Sequence, residues 1–188
     1  MFGPRILVEY FRETDEEVAR ISLGPPRDTD AAAGAAARWF ADNRVRLYMG
    51  HAYPISESQE LDWLQQQAED EDTVQWCIYF EEQLIGMVGL GEIDHTHSRA
   101  GFGIIIGERD YWGRGIGPVA GLAVLEYGFN HIFPGGLHKV VARVMAKNQR
   151  SIRALQKMGF EKSGVAREHF WFQGRWMDSC HTEVLNAE

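Results

Sequence analysis

Three glycines alternate with other residues at positions 113, 115 and 117, between an apolar segment and a segment with helical periodicity. The apolar segment, Phe102–Ile106, ends in three consecutive isoleucines, a pattern typical of a strand buried on both faces. From Pro118 onward, apolar residues recur at helical spacing, with the proline near the first helical position. Because glycines let backbone amides point inward and a helix N-terminus carries partial positive charge, the loop predicts an anion site suited to a pyrophosphate. Arg114 can add a charge there, although tight packing alone can also produce such a turn.

The spacing of these glycines excludes two other phosphate-binding motifs. The dinucleotide fingerprint needs glycines spaced G-x-G-x-x-G, and Gly113, Gly115 and Gly117 do not fit it. A P-loop needs a lysine followed by serine or threonine after its last glycine, whereas Pro118 and Val119 stand there. We therefore expect an anion site of a different kind.

Short apolar runs separated by turns indicate a sheet built largely from hairpins. We predict strands at 6–11, 18–23, 74–80, 84–90, 102–106, 139–145, 165–172 and 176–184, and helices at 31–40, 56–68, 118–133 and 151–158. Ser56 and Gln59 form a capping-box pattern at the start of the second helix. A doubly wound parallel sheet needs a more regular alternation of strands and helices. The prediction is a mixed α+β fold, with a mostly antiparallel, strongly twisted sheet and helices on both faces.

The composition narrows the class of protein. Of 188 residues, 45% are hydrophobic and 12% aromatic, which excludes intrinsic disorder and suits one domain with its own core. Two cysteines, Cys77 and Cys180, are too few for a disulfide scaffold. Residues Met1–Arg5 lack the pattern of a targeting peptide, and no segment approaches the ~20 apolar residues of a membrane span. We therefore expect a soluble, cytoplasmic domain.

The net charge of −8 bears on the partners of the chain. Proteins that bind phosphate backbones concentrate Lys and Arg on one face, so this balance argues against a nucleic-acid partner. It is compatible with a cationic substrate, but acidic proteins of every kind are common in the cytosol. We predict no nucleic-acid partner and no membrane partner.

The glycine loop and several later sequence blocks resemble those of a known protein family. Tyr111–Gly117 is similar to the acetyl-CoA pyrophosphate loop of the GNAT superfamily of N-acyltransferases, whose core pattern is Arg/Gln-x-x-Gly-x-Gly/Ala. Here Trp112 stands at the first position of that pattern, as in one branch of the superfamily. Asn148–Phe160 resembles the Asn-x-x-Ser-Ile…Lys-x-Gly-Phe signature of the same branch. Residues 164–168 and 174–178 resemble its C-terminal blocks.

Together these blocks are similar to ribosomal-protein N-terminal acetyltransferases of the RimJ/RimL type, over roughly Leu23 to Leu185. The resemblance implies one N-acetyltransferase domain over residues 1–188. Within it, residues 1–23 are expected to form a strand hairpin and residues 24–185 the GNAT core.

The resemblance also implies where acetyl-CoA binds. In this superfamily the strand before the loop splays from its neighbour, and the acetyl-pantetheine arm lies in the gap. The backbone of that strand would pair with the pantetheine amides, and one N–H would polarise the thioester carbonyl. Asn148 would hydrogen-bond the pantetheine arm and Ser151 would lie near the sulfur, although both also suit plain helix capping. The implied cofactor-binding residues are Ile104, Ile105, Ile106, Trp112, Gly113, Arg114, Gly115, Ile116, Gly117, Asn148 and Ser151.

The implied reaction is direct attack of a primary amine on the thioester of acetyl-CoA. The chain departs from its relatives at two catalytic positions, because many carry a Glu base where Ala100-Gly101 stands here, and a Tyr acid where Leu155 stands. Ser151 is then the better candidate to protonate the departing sulfur. Because a lysine-like amine has a pKa near 10.4, removing its proton is the harder task at neutral pH.

The base is left open by the sequence. Glu92, Asp94 and His95 follow the strand at 84–90 and could face the cleft, although a solvated loop is the simpler interpretation. The predicted catalytic residues are Ser151, Asn148 and Glu92. No metal is expected, since His95-Thr96-His97 lacks a matching ligand cluster.

The acceptor is predicted to be a primary amine, either a protein N-terminus or a small molecule such as a polyamine or an antibiotic. Its identity depends on variable loops, here expected at Arg44–Ile55 and His169–Trp176. The quaternary state is left as monomer or homodimer. An alternative function is a non-catalytic GNAT module that binds acyl-CoA as a sensor or scaffold.

Overall fold

The computed structural model describes residues 1–11, 18–49 and 53–186, in which eight strands form one sheet. The strands are β1 (Ile6–Phe11), β2 (Val18–Gly24), β3 (Val74–Phe80), β4 (Gln83–Asp94), β5 (Arg99–Ile106), β6 (Lys139–Met145), β7 (Glu161–Phe172) and β8 (Arg175–Leu185). The helices are α1 (Thr29–Ala41), α2 (Asn43–Arg46), α3 (Glu57–Glu69), α4 (Ile116–His131) and α5 (Gln149–Lys157), and a 3-10 turn covers Arg109–Tyr111.

The strands lie in the order β1-β2-β3-β4-β5-β6-β8-β7, and every neighbouring pair is antiparallel except β5 and β6. The prediction of a mixed, mostly antiparallel α+β fold is therefore confirmed. The hairpin expected at the start of the chain is present as β1 paired with β2, and its connection at 12–17 lies outside the described residues.

The parallel pair β5 and β6 is joined over a short length. Its register covers Arg99↔Lys139, Ala100↔Val140 and Gly101↔Val141. Beyond these residues β5 runs on to Ile106 and β6 to Met145 without pairing to each other. The sheet is therefore split at its centre, which confirms the expected splayed strand pair and leaves one edge of β5 without a strand partner from residue 102 onward.

Each face of the sheet carries a separate hydrophobic core. Trp76 and Ile78 of β3 pack in the core that includes residues of α4 and α5. Cys77 and Tyr79, which alternate with them along the strand, pack with α1 and with Leu64 of α3. Since successive strand residues point to opposite faces, both faces of β3 are covered, and helices lie on both sides as predicted.

Several local predictions need correction. β4 continues to Asp94 through a register shift, so residues 92 and 94 belong to a strand and not to a loop after it. Helix α2 lies inside the predicted variable loop at 44–55, of which residues 50–52 are outside the described part. Ile104, Ile105 and Ile106 are half-buried, not fully buried, because β6 has already diverged from β5 beside them.

The capping box predicted for α3 is confirmed, and α1 begins at Thr29, two residues before the start predicted at 31. Ser56 and Gln59 form the complete capping box of α3, and Asp28 accepts a hydrogen bond from the amide of Ala31 at the start of α1. Among the described residues, no helix has both the length and the apolar character needed to cross a bilayer.

Candidate functional site

A cleft of about 480 Å³ opens beside the split between β5 and β6. One wall is the outer half of β5, Ile104–Ile106, and another is the glycine loop with the first turn of α4. Helix α5 closes the third side with residues that include Asn148 and Ser151. The structure thus brings together ten of the predicted cofactor-binding residues, namely Ile104, Ile105, Ile106, Trp112, Gly113, Gly115, Ile116, Gly117, Asn148 and Ser151.

The loop at the mouth of the cleft depends on glycine for its shape. Gly113 and Gly115 adopt φ values of 73° and 86°, a left-handed conformation that costs an L-residue about 1–2 kcal/mol. Gly115 is the N-cap residue of α4, and no side chain caps this helix. The first turn also contains no acidic residue, so its unpaired N–H groups and partial positive charge are left for an anion.

Trp112 connects the loop to the end of β5. Its indole Nε1 donates a hydrogen bond of 2.7 Å to the carbonyl oxygen of Ile106. The guanidinium of Arg150 lies 3.7 Å from the centre of the same ring, within the range of a cation–π contact. Burial lowers the pKa of Arg150 below its ordinary value. Trp112 therefore fixes the loop to β5, and its ring contacts the guanidinium of Arg150 from α5.

Asn148 has the capping role weighed from the sequence, and both Asn148 and Ser151 line the cleft. The Oδ1 of Asn148 accepts a hydrogen bond of 3.2 Å from the amide of Ser151, so Asn148 is the N-cap of α5. Both residues also line the cleft, and both are half-buried. Capping uses the Oδ1 of Asn148 and leaves its amide nitrogen as a possible donor to a ligand in the cleft.

Sequence reasoning missed the cationic side chains of α5. Arg150, Arg153 and Lys157 all line the cleft, at the spacing of one helical face. Arg153 and Lys157 lie within the helix predicted at 151–158, whereas Arg150 joins that face only because α5 begins at Gln149. Arg114 is not among the lining residues, and its guanidinium lies 5.2 Å from the centre of the Tyr111 ring.

The three candidates for a base are dispersed. His95 pairs with Asp72 at 3.3 Å and packs on the Phe133 ring, away from the cleft. Hydrogen bonds from the backbone and ring of His97 lower the pKa of Asp94 to about 2. The Asp94 carboxylate is therefore already hydrogen-bonded within its own turn. Glu92 does not line the cleft either, and its carboxylate meets Arg143 of β6.

The histidine pair and Cys77 lie in different surroundings. Within the described ranges, no three His, Cys, Asp or Glu side chains are grouped as a metal site would require. Cys77 is 1% exposed in the core, and its burial raises the pKa of the thiol to about 12.

Cys77 is expected to resist alkylation in the folded protein. Raising the thiol pKa from 9 to about 12 lowers the thiolate fraction near pH 8 by about 10³-fold. Iodoacetamide labelling followed by peptide mass spectrometry should detect modified Cys77 in urea and almost none in native buffer. Rapid native labelling at Cys77 would contradict this burial.

A second cavity, of about 330 Å³, brings together the two segments predicted to choose the acceptor. Asn43, Arg46, Leu47 and Tyr53 come from the first segment and its edge, and Trp171, Phe172, Gln173 and Gly174 from the second. Trp171 is 60% exposed and packs edge-to-face with Trp176 at 5.1 Å. The two segments, distant in sequence, therefore form one surface.

Comparison with known proteins agrees with this architecture. The family model for the acetyltransferase (GNAT) domain matches residues 20–161. The uncharacterized N-acetyltransferase YoaA of Bacillus subtilis (strain 168) is 31% identical over 168 residues, which cover 87% of this chain and 92% of that protein. The solved structure of spermidine N-acetyltransferase from Vibrio cholerae in complex with CoA and spermine has a TM-score of 0.78 at 22% identity, covering 88% of this chain and 95% of that chain.

Relatives with two kinds of acceptor are similarly close. The spermidine N(1)-acetyltransferase of Escherichia coli (strain K12) is 28% identical over 119 residues, which cover 63% of this chain and 62% of that enzyme. The ribosomal protein uS5-alanine N-acetyltransferase of the same organism is 26% identical over 200 aligned positions, covering 100% of this chain and 97% of that enzyme. The chain spans about three fifths of the length of several curated relatives that it matches. The RimJ/RimL resemblance therefore holds at the level of the GNAT domain, without singling out that branch.

Proposed function

Because the chain belongs to the family of GNAT acetyltransferases, we propose that it transfers the acetyl group of acetyl-CoA directly to a primary amine. The observation that carries the proposal is the open edge of β5 where β6 diverges from it, together with the N-terminus of α4 that follows β5 and has no side-chain cap. An extended arm with amide groups fits the free edge of β5, and a pyrophosphate fits the helix N-terminus. Acetyl-CoA combines both groups in one molecule.

We propose that the cleft holds the donor through three sets of contacts. The backbone of Ile104–Ile106 pairs with the pantetheine amides, and one N–H of β5 stabilises the oxyanion that forms on the thioester carbonyl. The backbone amides of residues 113–117 bind the pyrophosphate. Arg150, Arg153 and Lys157 supply positive charge from the facing wall, which matters in a chain whose net charge is −8.

We assign Asn148 and Ser151 to the sulfur end of the donor. Asn148, held as the N-cap of α5, donates to the pantetheine arm, and the Ser151 hydroxyl donates a proton to the departing thiolate. Two facts support Ser151: it lines the cleft, and the position of the acid in many relatives is Leu155, which is 3% exposed and has no proton to give. Attack forms the C–N bond and breaks the C–S bond without an acyl-enzyme.

For the acceptor we propose a cationic primary amine that approaches the surface formed by Asn43, Arg46, Leu47, Tyr53 and residues 171–174. The relatives named for spermidine and for the alanine of uS5 support a small polyamine and a protein N-terminus, respectively. The net charge of −8 favours either one, because both are cations at neutral pH.

We also propose that residues 1–188 act as one catalytic domain in the cytoplasm, since β2 pairs with β3 in the same sheet and Cys77 and Cys180 are free thiols.

One observation favours a second candidate function, a non-catalytic acyl-CoA-binding module. The positions of the base and the acid in many relatives are occupied by Ala100-Gly101 and by Leu155, none of which has a side chain that can move a proton. Such a module would bind the donor in the same cleft and release no thiol.

Calorimetry and a thiol-release assay distinguish these functions. We expect acetyl-CoA to bind at sub-millimolar concentration and free thiol to appear when spermidine or an alanine-initiated peptide is added. Binding without turnover on any amine of a broad panel would favour the sensor. No binding to folded protein would overturn both.

Replacing Ser151 with alanine tests the proposed acid. We expect kcat to fall on the order of 10-fold to 10²-fold, because a positioned proton donor at the sulfur is lost. The Kd of acetyl-CoA, measured by calorimetry, should change little, and S151T should retain much of the rate. An unchanged kcat in S151A, with chemistry shown to be rate-limiting, would remove Ser151 from this role.

A further inference from the structure

The split between β5 and β6 has a second open face, opposite the one that carries α4 and α5. Ala100 and Phe102 of β5 pack in the core with α4, so the alternate residues Gly101 and Gly103 point to the other face. A Cβ atom added to Gly103 would meet nothing within 4 Å. Because these two positions have no side chains, an acceptor can approach the strand closely from this side while the donor occupies the α5 side.

The carboxylate of Glu92 lies beside Gly101 on this face of β5. Its backbone has a φ of 52°, within the register shift of β4 between Gly91 and Asp94. Such a bulge redirects a side chain, and a left-handed φ costs a non-glycine residue about 1 kcal/mol or more. The Oε2 of Glu92 lies 3.8 Å from the point that a Cβ atom of Gly101 would occupy. The carboxylate from β4 therefore lies in ordinary van der Waals contact with the point at which a side chain of residue 101 would begin.

Arg143 holds this carboxylate from the other side of the split. Its Nη2 donates to Oε1 of Glu92 at 2.9 Å and to Oε2 at 3.1 Å. Arg143 is on β6, two residues beyond Val141, the last residue paired with β5. The ion pair therefore spans the point at which the strands part. The Glu92 side chain is 72% exposed, so an incoming amine can reach it.

Two other sets of titratable groups on this face are less available. Lys139 and Glu183 pair with each other. His181 is the cross-strand partner of Arg143, and its Nε2 is buried and has no hydrogen-bond partner within the described residues. Neither group offers an accessible proton acceptor beside Gly101 and Gly103.

We propose that Glu92 is the general base of the acetyl transfer, an inference that rests on the proposed function. The ammonium of the acceptor loses one proton to solvent, and the neutral nitrogen attacks the thioester carbonyl carbon. As the C–N bond forms the nitrogen becomes acidic, and its second proton passes to the Glu92 carboxylate. The C–S bond breaks with its electron pair on sulfur, the sulfur takes a proton, and Glu92 returns its own to solvent. One proton is released per turnover.

Relocating the carboxylate tests this proposal. We expect E92A to lower kcat by about 10²-fold with an unchanged Kd for acetyl-CoA, as loss of a general base does. The double variant E92A/G101E should have a kcat at least about tenfold higher than that of E92A, because the new side chain starts 3.8 Å from the site of the lost carboxylate. The matched control, E92A/G101Q, should recover nothing. The Cβ atom at residue 101 lies 3.3 Å from the Gly91 carbonyl oxygen and requires only a small shift.

Arg143 acts in this scheme as a positioning residue. R143Q should lower kcat several-fold while the Tm stays unchanged, because an exposed ion pair contributes little to stability. R143K should restore most of the rate. A purely structural role would instead change Tm and leave kcat alone.

The outcomes distinguish failure of the role proposed for Glu92 from failure of the proposed acetyltransferase function. If the wild-type chain acetylates an amine and E92A keeps kcat within about twofold, Glu92 is not the base and the proposed function stands. Rescue by G101Q as well as G101E would likewise overturn the role of the charge. Absence of turnover in the wild type would overturn the proposed function itself.

Discussion

Replacing Gly117 with aspartate is expected to weaken acetyl-CoA binding by about 10²-fold or more without unfolding the protein. Gly117 lines the cleft in the first turn of α4, and a Cβ atom there would lie in ordinary contact with Ile104, 3.9 Å from its Cδ1. The carboxylate would therefore fit, but it would occupy the anion site at the helix N-terminus. Two unit charges 4 Å apart repel by about 4 kcal/mol at an effective dielectric constant of 20, which is more than enough for a 10²-fold loss.

The matched control is G117N, which has the same shape as aspartate without the charge. We expect G117N to weaken binding far less, as measured by calorimetry at two salt concentrations. G117D should have an unchanged or slightly higher Tm, because an acidic residue in the first turn of a helix is stabilising by about 0.3–1 kcal/mol. Equal losses in the two variants would mean that bulk, not charge, excludes the donor. Unimpaired binding in G117D would place the pyrophosphate elsewhere.

Replacing Gly136 with alanine should cause the largest loss of stability among the substitutions considered. Gly136 is buried in the turn from α4 to β6, with a φ of 62°. An added Cβ atom would lie 1.8 Å from the carbonyl oxygen of Phe129 in the last part of α4. Since that atom belongs to the backbone, the helix end itself must move. We expect the free energy of unfolding to fall by about 3 kcal/mol or more, as strain and a steric clash act together.

Gly135, the preceding residue, is a control for the conformational part of this effect. Its φ is 93°, but a Cβ atom there would meet nothing within 4 Å. G135A should therefore lose only the cost of a left-handed alanine, about 1–2 kcal/mol. Urea denaturation of both variants, read by circular dichroism, gives the two free energies. Similar losses in G135A and G136A would contradict the clash with Phe129.

Parts of the fold were predictable because their signals are local. The capping box of Ser56 and Gln59 marks the start of α3 by itself, since both partners lie within one turn. The alternation of Trp76 and Ile78 with Cys77 and Tyr79 suits a strand covered on both faces. The end of β4 was not predictable, because the register shift that carries it past Leu90 is set by pairing with β5.

The candidate site divides in the same way. Most residues that line the cleft come from two continuous blocks, 104–118 and 148–158, which sequence motifs could identify, whereas Val45, Tyr48 and Met49 come from a third segment around α2. The face opposite to α5 is assembled from β4, β5 and β6. Its key distance, between Glu92 and the side-chain position of Gly101, joins residues nine apart on two strands and depends on their register.

By itself, the sequence determined the kind of fold, the glycine loop before a helix N-terminus that we propose as the anion site, and the helix that faces it. It could do so because glycine conformations, helix starts and hydrophobic periodicity are decided within a few residues. Only the tertiary structure decided that Ile104–Ile106 line an open cleft, that Arg150 lies on the Trp112 ring, and that Glu92 is held beside the split by Arg143. These relations depend on the point where β5 and β6 stop pairing, and strand divergence is set by the packing of the whole sheet.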